Sequence, residues 1–152
     1  MKKGVLYAVL LIGAILVPTQ PKELGTMVPV ETIIIKEMDG AVAVETDTGD
    51  CGMGSTLQLA MEDLMNRAVG AIDLDTTAYL IVNKGAEELI GKMNQYIKGS
   101  VRVCITEEPV EIQSATEYMR HHRPATRLRD WNGSHGIEIL AILGDRYLLK
   151  EK

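Results

Sequence analysis

The stretch "AIDLDTTAYLIV", residues 71–82, decides how the rest of the chain is read. Its first half alternates polar and apolar residues, and from Tyr79 to Val82 it is apolar without a break. That pattern suits a strand with one end at the surface and the other deep in a sheet. Working back from it, Leu57, Ala60, Met61, Leu64 and Ala68 recur at the spacing of one helix face, and Gly70 follows as a helix stop. Working forward, Gly85 to Lys98 reads as a second helix with Leu89, Ile90, Met93 and Ile97 on one side. "VRVCI" at 101–105 is the next strand. A third helix is expected after Ser114, whose spacing to Glu117 is that of a capping box, and Pro124 stops it.

The two ends supply hairpins. "VPVETIIIKE" and "AVAVETDT" are rich in β-branched residues and flank Met38-Asp39-Gly40, a strong turn signal. "GIEILAIL" and "RYLLK" read as two further strands joined at Gly144-Asp145. The expected order is ββαβαβαββ, an α/β (α+β) class with helices packed on a mixed sheet in a single compact domain.

With 152 residues, 46% hydrophobic and 24% charged, the chain has the size and composition of one globular domain. Phe is absent and Trp131 is the only Trp, so the core must be built from Leu, Ile, Val, Met and Ala. The N-terminus departs from this composition. Lys2 and Lys3 precede the uncharged run "GVLYAVLLIGAILV", residues 4–17, closed by Pro18. A basic start followed by an apolar run is the pattern of an export signal, and both a cleaved signal peptide and a retained signal anchor fit residues 1–18. Residues 19–27 then read as a linker and 28–152 as an extracytoplasmic domain, attached to the cell membrane through residues 4–17 or exported. A formal net charge of −5 argues against nonspecific binding to nucleic acid. Cys51 and Cys104 are the only cysteines; two without further pattern predict no disulfide framework, and pairing stays open.

"TGDCGMGST", residues 48–56, resembles a phosphate-binding loop in the spacing of Gly49 and Gly54 and in Thr56. Ser55 stands where the lysine belongs, and Asp50 adds negative charge where an anion would dock. A turn leading into the helix, with Ser55 and Gln58 as a capping box, accounts for the same residues, so no nucleotide and no other cofactor is expected.

The one concentration of chemistry-bearing side chains is "YMRHHRPATRLRDW", residues 118–131. Arg120, His122, Arg123, Arg127 and Arg129 are the candidate anion-binding residues, since guanidinium forks match carboxylate and phosphate and histidine adds pH dependence. The ordinary alternative is a basic helix end whose charges pair with surface acids. His121, His122 and His135 show no metal-ligand spacing, Ser134-His135 beside Asp130 lacks a nucleophile elbow, and Asp73 and Asp75 read as the solvated face of a strand. No catalytic residue is assigned.

The run from Ser55 to Thr106, a Leu- and Ala-rich helix, a strand ending Y-L-I-V, a second helix and a V-R-V strand, resembles the N-terminal domain of the spore-germination receptor C subunits, the Ger(x)C family. The likeness spans roughly residues 28–123 and lies in the order of the pattern; unlike that family, this chain has no cysteine before Cys51. The resemblance implies an exported, membrane-associated accessory domain of sporulation or germination machinery that works by contact with other membrane or envelope proteins. From the residues themselves, an exposed sheet edge at the first hairpin or the last strand is expected to serve such assembly. The second expectation, from a different class, is a small extracytoplasmic enzyme or anion-binding protein using the Arg and His cluster at 120–129.

Overall fold

The computed structural model describes residues 27–133, 136–144 and 146–151. The apolar run 4–17, the linker up to residue 26, Ser134, His135 and Asp145 lie outside the described residues. The described residues form a single α+β domain around a seven-stranded mixed sheet.

Among the described residues nine strands form: β1 (Met27–Pro29), β2 (Thr32–Met38), β3 (Ala41–Thr46), β4 (Cys51–Gly54), β5 (Ala71–Asp73), β6 (Tyr79–Asn83), β7 (Arg102–Thr106), β8 (Glu138–Leu143) and β9 (Arg146–Glu151). The main sheet runs β4-β3-β2-β6-β7-β8-β9, and β1 pairs with β5 in a separate parallel ribbon. β2, β6, β7 and β8 are mutually parallel, while β3–β4 and β9 add antiparallel flanks. Two α-helices, α1 (Leu57–Arg67) and α2 (Ile112–His121), and several short 3-10 segments make up the helical elements among the described residues.

The middles of the central strands, Ile33–Ile35, Leu80–Val82 and Val103–Ile105, are continuously apolar because both of their faces are covered. Ile33 and Ile35 of β2, Leu80 and Val82 of β6, and Val103 and Ile105 of β7 join one core with Leu57, Ala60, Met61 and Leu64 of α1. Ile34, Ile81 and Cys104, from the opposite faces of the same strands, pack with Ala115 and Met119 of α2. Alternation of side chains along a strand divides one apolar run between two layers. Thr116 ties α2 to the sheet: its Oγ1 lies 2.7 Å from Thr32 Oγ1 and 2.7 Å from the Ile112 carbonyl oxygen, with both threonines buried.

Both hairpins form, although Val28 and Pro29 of the first expected strand leave it to pair with β5 as part of β1. Met38 and Ala41 face each other across Asp39 and Gly40, with φ of 51° and 76°, the left-handed pair that a tight turn requires. Four other expectations are corrected. Residues 71–82 do not make one strand: β5 ends at Asp73, whose carboxylate accepts the Asp75 N–H and caps a 3-10 turn (Leu74–Thr76) ahead of β6. Gly85 to Lys98 is no α-helix but two 3-10 segments, Glu87–Leu89 and Gly91–Gln95. An uncapped start at Ala86 and a glycine in the middle remove the support a continuous helix would need, although Leu89, Ile90, Met93 and Ile97 are all buried as the periodicity requires. Neither expected capping box is used. Thr56, in extended conformation, caps α1 by accepting the Leu59 N–H, and Glu111 caps α2 by accepting the N–H groups of Gln113 and Ser114. The Ser114 contacts hold the Glu111 carboxyl below the usual carboxylate range.

The fourth correction concerns the stretch 48–56. It is not a turn throughout: Gly49, at φ 91°, makes the turn, and Cys51–Gly54 is strand β4, paired antiparallel with β3. The next two glycines serve packing. A Cβ on Gly52 would lie 2.2 Å from the Ala60 carbonyl oxygen and 2.3 Å from the Leu64 nitrogen, and one on Gly54 would lie 2.6 Å from the Ala60 nitrogen. α1 therefore rests on bare strand backbone.

Gly52→Ala is expected to destabilise the domain by about 2 kcal/mol or more, seen as a lower urea midpoint, while Gly91→Ala, where a Cβ meets nothing within 4 Å, leaves it nearly unchanged. Thr116→Val strands the buried Thr32 hydroxyl and should cost about 1–3 kcal/mol. Adding Thr32→Val should recover part of that loss, and a strictly additive double mutant would show that the hydroxyls do not interact.

Candidate functional site

α2 carries the Arg and His segment to the amino ends of the parallel strands. Arg120 reaches across to Glu31, just ahead of β2, with Nε 3.0 Å from Oε1 and Nη2 2.5 Å from Oε2, and its Nη1 donates to Glu117 at 2.8 Å. These carboxylates, Glu31 foremost, raise the Arg120 pKa, and Arg120 followed by His121 holds the Glu117 carboxyl below the usual range. His121 Nε2 stands 3.3 Å from Glu117.

Beside this pair is a pocket of about 450 Å³ lined by Glu31, Thr77, Tyr79, Ser100, Arg102, Arg120 and Arg123, together with Ala78. Arg102 Nη1 donates to the Ala125 carbonyl oxygen at 2.6 Å. Arg123 is exposed and forms no ion pair among the described residues. Thr77 is 6% exposed, and its hydroxyl has no hydrogen-bond partner among the described residues. The 126–128 segment lies antiparallel to the start of β7, with the Val103 N–H donating to the Thr126 oxygen and the Leu128 N–H to the Val101 oxygen. That pairing sets Arg127 directly opposite Arg102, so two like charges leave one face of the pair.

The five candidates are thus divided. Arg120 and Arg123 line the pocket, and Arg127 stands across from its Arg102. His122 and Arg129 do not join them. The His122 ring stacks on Tyr118, 4.4 Å between centroids and 9° between planes. Arg129 covers Gly99, where an added Cβ would meet its Cβ at 2.9 Å, and its Nε is 3.7 Å from Asp130. Arg102, Ser100 and Thr77 were missed by sequence reading, because their place in the pocket comes from strand register. A charged residue inside "VRVCI" was the one local signal.

His122 belongs to a second concavity, a groove of about 670 Å³ between α2 and β9, lined by Ser114, Glu117, Tyr118, His122, Arg146, Tyr147 and Leu148. Tyr118 and Tyr147 have ring centroids 6.0 Å apart and form its aromatic floor. Leu148 is 44% exposed and Leu143, at the far end of β8, 58%.

The sheet edges are less open than the sequence suggested. On β4 the Met53 N–H donates to Asp63 of α1 at 2.9 Å, and on β9 the Leu149 N–H donates to the Tyr118 hydroxyl at 3.1 Å. Each outer strand therefore has one ladder donor tied back by a helix side chain, a device that discourages strand addition. Cys51, exposed on β4, and Cys104, buried in β7 at 3.8 Å from the Met119 sulfur, are both free thiols. Burial pushes the Cys104 thiol up, which makes it an inert core residue. Among the described residues no cluster of His, Cys, Asp and Glu is arranged to hold a metal, and no helix is long and apolar enough to cross a membrane. Compared with protein-family models, with curated proteins and with solved structures, the chain matches none.

The Met53 N–H and then Arg67 hold the Asp63 carboxyl below its ordinary value of 3.8. A depressed folded-state pKa contributes stability that is present above the unfolded value and is lost as pH falls through the folded one. The protection factor of the Met53 amide, the intrinsic exchange rate over the observed rate at the same pH, should therefore fall progressively below about pH 4, and Asp63→Asn should remove that pH dependence. Equal protection at about pH 6 and about pH 2 would show that the carboxylate does not guard the edge.

Proposed function

We propose that this protein is a non-catalytic interaction domain, exported or held at the membrane by residues 4–17, and that it meets its partner through the groove between α2 and β9. The observation that carries this reading is the composition of the groove. Tyr118, His122, Tyr147 and Arg146 surround an open apolar lip at Leu148. Tyrosine and arginine are the residue types that dominate binding energy at protein interfaces, because each combines a large apolar body with a polar tip. The tied-back donors of β4 and β9 favour side-chain docking in this groove over addition of a partner strand.

The basic start and apolar run support the export half of the proposal. The resemblance to the N-terminal domain of spore-germination receptor C subunits supports partners in the envelope, within sporulation or germination machinery.

The test is site-specific photocrosslinking of the full chain in its native membrane. A photoreactive residue at Leu148 or His122 is expected to trap one discrete partner, and Leu148→Asp to abolish the product with an unchanged melting temperature. A residue at Glu62, on the opposite face of the domain, should trap nothing. Identical products from all three positions, or none, would overturn the proposal. External protease on intact cells should digest a C-terminal tag; a protected tag would sink the export half.

A further inference from the structure

We infer that the pocket at the amino ends of β2, β6 and β7 binds a phosphate group, through Arg102, Arg120 and Arg123 with Ser100 and Thr77. This proposal is independent of the groove and of any protein partner.

Charge is the first ground. Three guanidinium groups line a pocket of about 450 Å³ that holds one carboxylate, Glu31, in a chain whose formal net charge is −5. Such a local excess of one sign inside a concave wall attracts and concentrates the opposite sign. Arg120 is paired with both Glu31 and Glu117, which fixes its guanidinium as a neutralised wall, and the positive excess comes from Arg102 and Arg123, which have no ion pair among the described residues. Arg127, directly opposite Arg102, adds a fourth positive charge to the approach. A bound dianion would relieve the repulsion between those two.

Geometry is the second. Arg102 comes from the first residue of β7 and Arg123 from the turn after α2, so their forks reach the pocket from different elements. Ser100 is exposed at the rim, and Thr77 is a buried wall residue whose hydroxyl has no partner among the described residues. Donors arriving from several directions suit the oxygens of a tetrahedral phosphate, whereas a planar carboxylate is satisfied by a single fork. The pocket lies at the end of the parallel strands opposite to the crevice that doubly wound sheets use, and it uses arginine side chains where those use a helix N-terminus.

The phosphate could arrive free or as a monoester such as a lipid headgroup, and two probes separate these sources. The full chain, purified in non-ionic detergent, is titrated with inorganic phosphate and with glycerol phosphate, following binding by calorimetry and the melting temperature. Saturable binding of inorganic phosphate, at least as tight as that of the ester, identifies the free anion. Tighter binding of glycerol phosphate identifies an esterified group. Arg123→Ala should weaken either at least tenfold with an unchanged melting temperature in the absence of phosphate, and Arg123→Lys should restore part of the loss. Arg129→Ala, which removes an arginine outside the pocket, should leave the affinity as it was. No saturable binding of either probe up to roughly 10 mM, or equal losses in the Arg123→Ala and Arg129→Ala variants, would overturn the proposal.

Discussion

Burial of β2, β6 and β7 on both faces is the constraint from which the rest of the domain follows. Each strand sends alternate side chains into separate cores, Ile33 and Ile35 against Ile34, Leu80 and Val82 against Ile81, Val103 and Ile105 against Cys104. Each large aliphatic side chain removed from water contributes about 1.5–3 kcal/mol, a gain available only if something covers both faces. α1 and the 3-10 segments supply one cover and α2 the other. The parallel register of the three strands then brings Thr32, Tyr79 and Arg102 level with one another at one end of the sheet.

Two close approaches make this arrangement possible. α1 can lie low enough on β4 to reach the core because Gly52 and Gly54 present backbone alone. α2 is seated by the Thr116–Thr32 hydroxyl contact and by the Glu111 cap, whose backbone N–H and carbonyl also meet the Tyr147 hydroxyl from β9. The same seating carries Tyr118 to the β9 edge and Arg120 to Glu31, so the aromatic groove and the arginine pocket are two consequences of one helix placement.

Charge separates the two surfaces. Around Arg120 the carboxylates of Glu31 and Glu117 balance the guanidinium, while Arg102, Arg123 and Arg127 gather beside it without acidic partners among the described residues. The groove carries one charge of each sign, Glu117 and Arg146, over aromatic rings. A positively lined pocket and a nearly neutral aromatic groove suit different ligands, an anion and an apolar side chain.

The sequence by itself determined the α+β class, the two terminal hairpins, the apolar face of α1 and the burial of Leu89, Ile90, Met93 and Ile97. These depend on local periodicity and on turn residues such as Asp39-Gly40, whose preferences act within a few neighbours. Of the arginine segment, it marked Arg120 and Arg123 but grouped them with His122 and Arg129, which point to other surroundings. Only tertiary structure decided that Cys51–Gly54 is a strand, that Gly85–Lys98 winds as 3-10 segments, and that Arg102, Ser100 and Thr77 meet Arg120 and Arg123. Glycines required by an opposing helix carry no strand preference of their own, and a helix with weak local support takes whatever winding lets its apolar side chains reach the core. Residues about 20 positions apart become neighbours through strand register, which is fixed by packing across the sheet and leaves no spacing to read along the chain.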